Sequence, residues 1–166
     1  NAGDVGQIMK DKMFLRAAAE SGIAEIKFSQ LALEKSTSDD VKTFGQKMID
    51  DHTQLNAAMA PVADAMGIRL PKEMDKEDQA AYEKLHTLSG SDFETAYLIQ
   101  MVKVHHKAMR NYRVEANSAT EPQLSDFLAK GEHTIHEHLV MVNKLARDKG
   151  VPMPQRAGKP APPPPS

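Results

Sequence analysis

Four residues have types and positions that could bind a metal: Glu25, His52, His105 and His138. Each lies near the middle of an apolar arc in a different long amphipathic segment. A histidine facing a core needs a partner for its ring nitrogens, because an unpaired buried polar group is costly. One carboxylate and three imidazoles converging between helices make a ligand set for a transition metal, and imidazole with carboxylate suits Zn, Fe, Mn or Cu. The other histidines do not fit this pattern. His106, His133 and His136 fall at or outside the edges of their apolar arcs, and His86 lies in a connector. In the pair His105-His106, only His105 therefore faces inward.

The elements that would position these residues follow from apolar periodicity. A first helix is predicted from about Val5 to Lys35, with Phe14, Ala18, Ile26, Phe28 and Leu31 inside and Gly22 allowing close packing. Ser36 to Asp40 is a stop and restart rich in capping residues. A second helix follows from about Asp39 to Met66, striped by Val41, Phe44, Met48, Leu55 and Met59. Pro61 predicts a kink or break near Ala60, and Gly67 a C-terminal cap. Residues 72–90 form a connector with a short helix from about Asp75 to Leu88. Ser91-Asp92-Phe93-Glu94 has the spacing of a capping box and opens a third long helix to about Asn117. Thr120-Glu121-Pro122 opens the last, striped by Leu124, Phe127, Leu128, Gly131, Ile135 and Val142 and closed by Gly150.

The expected fold is all-α: an up-down-up-down four-helix bundle over residues 1–150 with a short connector helix. Residues 151–166 carry seven of the ten prolines and form a proline-rich tail, extended or disordered, serving as a spacer or a docking segment for a protein partner. In this topology the links near 37 and 119 share one end, and the four candidate ligands lie within about 10 Å of each other along the axis at ~1.5 Å per residue.

Bulk composition narrows the function. The net charge of -2 gives no electrostatic case for nucleic acid, and no apolar run is long enough to span a membrane. The absence of cysteine excludes disulfides, thiolate metal sites and cysteine nucleophiles. The chain starts at Asn1, as expected after removal of a signal peptide. No phosphate-binding glycine loop, dinucleotide fingerprint or nucleophile constellation occurs, so binding is favoured over catalysis. Met48, Met101 and Met141 lie within a turn of the inward histidines. Soft sulfur there would favour copper or a His/Met-ligated b-type haem, whereas core packing is the ordinary use of such methionines. Glu94 also points inward, about three turns from His105. The competing expectation is a metal-free structural or interaction protein whose buried Glu–His network fixes helix register.

Several short motifs together carry a resemblance. They are Gly22-Ile23-Ala24-Glu25-Ile26, Lys47-Met48-Ile49-Asp50-Asp51-His52, Gly67-Ile68-Arg69-Leu70-Pro71, Leu88 to Glu94 with Tyr97 and His105, and His136-Glu137-His138-Leu139. Over about residues 8–147 the chain resembles a bacterial family of exported ferritin-like proteins, outer-membrane or periplasmic, whose domain has no assigned function. The resemblance implies a ferritin-like bundle outside the cytoplasm and no particular activity. True ferritin centres take a Glu-x-x-His from two helices. Ile49 and Ile135 stand where those glutamates would be, which argues against di-iron ferroxidase chemistry. The histidine pattern is also similar to that of small exported copper-binding helical proteins, which implies copper by analogy alone.

Overall fold

The computed structural model describes residues 2–153 of the chain, with side chains from residue 4. It contains five helices: α1 (Ala2–Lys35), α2 (Asp39–Ala65), α3 (Lys76–His86), α4 (Gly90–Ala116) and α5 (Pro122–Asp148). No strand occurs among the described residues, and no helix is long and apolar enough to cross a membrane. The α1 helix packs against α2 and α4, and α5 packs against the same two from the other side. The short α3 lies over α1 and α4. Phe28, Met48, Tyr97, Met101, Leu128 and Ile135 fill the space between the four long helices. Residues 154–166, most of the proline-rich tail, lie outside the described residues; Val151 and Met153, just before them, pack against the core.

The helix directions differ from the up-down-up-down expectation. Near the end of α1, the Ser36 hydroxyl donates to Glu94 in the first turns of α4, at 2.6 Å. Toward the start of α1, Lys10 reaches Ser118 just beyond the end of α4. Thus α1 and α4 are antiparallel, and α2 and α4 run the same way. Lys149, following α5, reaches Ser38 before α2, at 2.8 Å, so the order is up-down-down-up. The cause is the connector. A 27-residue helix is about 40 Å long, and residues 66–89, part helix and part extended, are long enough to travel back along it.

Local sequence explains the helix ends. Gly67 takes φ +68°, a conformation that costs other residues a Cβ clash. It lets the Ile68 amide bond the Ala63 carbonyl while the Ile68 side chain buries, the Schellman pattern. Gly150 repeats it, with Val151 bonded to Ala146. The α2 helix runs unbroken through Pro61. Both Pro61 and Ala57, whose carbonyl loses its usual donor, are exposed, so water can take that acceptor. The capping box does not form. Ser89, not Ser91, is the α4 N-cap, and Glu94 instead accepts from the Ser36 hydroxyl and the Ser38 amide. A carboxylate thus satisfies the positive end of α2 from a neighbouring helix. Likewise Glu121, not Thr120, precedes α5, with Pro122 at its first turn.

Two helix glycines make opposite predictions. A Cβ on Gly131 would lie 2.2 Å from Cε1 of Tyr112, whose ring is held between Phe14 and Phe127. Gly131→Ala should therefore cost about 2 kcal/mol despite its better helix propensity. A Cβ on Gly22 would meet only the amide end of Asn56, which is half-buried beside open space and can swing away. Gly22→Ala should be neutral or gain up to ~1 kcal/mol. Urea unfolding midpoints of the two variants check the contrast; equal shifts would contradict it.

Candidate metal centre

Among the described residues, one nitrogen from each of His52, His105 and His138 lies within 4.8 Å of the other two. The rings come from α2, α4 and α5, with centroids 5.1 to 5.5 Å apart. All three are buried, at 3%, 0% and 0% exposure, whereas His86, His133 and His136 are exposed and His106 is half-buried. Glu25 of α1, 2% exposed, lies against this group from the side. Its Oε2 is 2.9 Å from His52 Nε2 and its Oε1 is 3.7 Å from His105 Nδ1. It approaches two of the rings and stands outside the set of three mutually close nitrogens. Glu25 Oε1 and His52 Nε2 have no aligned hydrogen-bond partner, although His52 Nε2 lies close to Glu25 Oε2.

Hydrogen-bond partners fix the ring orientations. His105 Nδ1 is 2.7 Å from the Met101 carbonyl, an acceptor only, so Nδ1 carries the proton and donates. His138 Nε2 is 2.8 Å from Asp51 Oδ2 and donates to that carboxylate. The remaining nitrogens, His105 Nε2 and His138 Nδ1, face each other at 3.1 Å. In neutral rings both carry lone pairs. Such a contact requires a proton or a metal ion between them. Burial acts against the proton: it holds His105 below the usual imidazole range and, with the His105 and His52 charges, takes His138 down to about 4. Backing a ligating imidazole with a carboxylate or carbonyl on its second nitrogen is the usual support of a metal-binding histidine.

The surrounding charges reinforce this arrangement. Burial opposes ionisation of Glu25, but the nearby His52, His105 and His138 outweigh it and take the carboxyl down to about 2. Asp51 is likewise opposed by burial and held low by the His138 and Lys47 hydrogen bonds. Lys47 clamps Asp51 and Glu137 at 2.9 Å each, tying α2 to α5. Asp51 and Lys47 are the functional neighbours that apolar periodicity misses. Asp51 precedes an inward histidine and sits about 100° around the helix from it, which aims it at the adjacent helix. Met48 and Met101 are packed in the apolar core, and Met141 is half-buried against it.

The family described as "Domain of unknown function (DUF4142)" matches residues 2–159. No protein with a curated description matches by sequence. Two solved structures of DUF305 proteins share the fold. A fragment from Deinococcus radiodurans has TM-score 0.75 and 13% identity, covering 84% of this chain and 96% of that one. A candidate secreted protein from Streptomyces coelicolor has TM-score 0.74 and 15% identity, covering 89% and 98%. A candidate spore coat protein from Bacillus halodurans is similar at TM-score 0.65 and 11% identity, covering 93% and 94%.

Proposed function

The chain belongs to the DUF4142 family of unknown function, and from that premise we propose that it is an exported protein binding one transition-metal ion, Cu, Zn, Fe or Mn, among His52, His105 and His138. Glu25 stands beside the ion as a fourth ligand or as its counter-charge. The observation that carries this reading is the 3.1 Å approach of His105 Nε2 to His138 Nδ1, each ring held through its other nitrogen. Two nitrogens bound tetrahedrally at about 2.0–2.1 Å from one ion are about 3.3 Å apart, so little movement is needed. Three imidazoles without bridging carboxylates hold a single ion rather than a di-iron pair.

The wider reading is a ferritin-like four-helix bundle over residues 1–150, with residues 151–166 as a spacer or docking segment. One long crossover between α2 and α4 is the connection that ferritin-like bundles use. Export is supported by the descriptions of the Streptomyces and Bacillus neighbours.

Equilibrium dialysis against each metal, followed by elemental analysis, tests the proposal. The expected result is about one retained equivalent per chain, bound more weakly as pH falls toward about 4, where His138 takes up a proton. A second reading is favoured by the continuous chain Asp51–His138–His105–Met101, which could fix helix register without metal. Dialysis leaving no metal on a folded protein would select that reading.

A further inference from the structure

Among the described residues, three buried side-chain atoms lack a hydrogen-bond partner: Glu25 Oε1, His52 Nε2 and Glu115 Oε1. All three residues line one cavity of about 330 Å³ between α1, α2, α3 and α4, a size suited to a small organic ligand. Phe14, Ala18, Leu55, Val104, Ala108 and Tyr112 form the apolar part of its walls, and Ser21, Asn56 and Asn111 the neutral polar part. Glu25 and His52 close one end. Glu115, 2% exposed and set against the equally buried Asp11, lies at the other. Lys10 turns its ammonium to Ser118 and the Val114 carbonyl. Asp75 and Asp78 line the same cavity, with Lys107 near Asp78.

Two of these atoms share a chemistry. Glu25 Oε1 and Glu115 Oε1 are carboxyl oxygens that accept hydrogen bonds, whereas His52 Nε2 already lies 2.9 Å from Glu25 Oε2. A ligand that satisfies the two carboxyl oxygens must therefore donate hydrogen bonds. It must also be long. Glu25 lies beside His105, and Glu115 is ten residues further along α4, about 15 Å at 1.5 Å per residue. One metal ion cannot serve both ends. We propose that the cavity binds a linear aliphatic polyamine, with one ammonium on Glu25, another on Glu115, and the methylenes against the apolar walls. Glu25 is shared with the proposed metal centre, so the two sites are tested separately, the polyamine on metal-free protein.

Spermidine titrated calorimetrically into the full chain, stripped of metal and dialysed, tests the proposal. Saturable 1:1 binding is expected. Glu25→Gln and Glu115→Gln should each weaken it at least about tenfold, the loss of a charge-assisted hydrogen bond. Hexylamine, with one ammonium, should bind at least about tenfold more weakly than spermidine. Glu121→Gln, on the exposed surface, should change nothing. Ala108→Leu, which fills the cavity from its wall, should abolish binding while helical circular dichroism is retained, and it decides the question if a glutamine variant fails to fold. No saturable binding, or spermidine binding that survives Ala108→Leu or both glutamine substitutions, overturns the proposal.

Discussion

Replacing His138 with alanine should lower metal affinity at least about 100-fold while His133→Ala and His136→Ala, on the same helix, leave it unchanged. The magnitude follows from the position of His138. It faces His105 Nε2 through Nδ1 and is held by Asp51 through Nε2. Removing only an outer partner of a metal-bound imidazole typically costs 10–100-fold, so removing the imidazole itself cannot cost less. Asp51→Asn should then fall between wild type and His138→Ala, with a loss of about tenfold or more. Competition titrations against a chromophoric chelator provide the ranking. His133 and His136 are exposed, and affinity that drops equally on their removal would mean that metal associates with surface histidines.

Glu25→Ala should destabilise the metal-free protein by about 3 kcal/mol at pH 7, in the range for breaking a buried charge contact. The carboxylate is 2% exposed and faces His52 at 2.9 Å. Without it the His52 ring loses the carboxylate it faces, and truncation enlarges the adjoining cavity. The effect has a pH signature. The folded carboxyl is taken down to about 2 from an ordinary 4.5, by the three histidines against the effect of burial. In the unfolded chain it takes up a proton first as pH falls. Its contribution is therefore full above pH 4.5 and is lost between 4.5 and about 2. The gap between wild type and variant should shrink across that window in urea titrations at pH 7, 4 and 2.5. An equal gap throughout would show that Glu25 acts by packing alone.

Much of this arrangement was legible in the sequence because an inward polar residue interrupts an apolar stripe at a fixed angle. Glu25, His52, His105 and His138 are all buried, and the exposed histidines are those off the stripe. Depth also survived the error in helix direction. His105 and His138 sit near the centres of 27-residue helices, and a mid-helix residue stays at mid-height whichever way the helix runs. Direction itself was not legible, because periodicity is the same read up or down and only the path of residues 66–89 decides it. The capping box failed for a related reason: Glu94 has the right local spacing, but Ser36 and Ser38 on a distant segment offer it better partners. Asp51 was overlooked because a half-exposed acid beside a buried histidine resembles any solvated residue until the neighbouring helix is placed against it.

The most direct measurement is X-ray diffraction from metal-loaded crystals at the absorption edge of the bound metal. The account predicts a single anomalous peak about 2.0–2.1 Å from one ring nitrogen of each of His52, His105 and His138, between His105 Nε2 and His138 Nδ1. A peak elsewhere, or none with the His105–His138 contact intact, would contradict it.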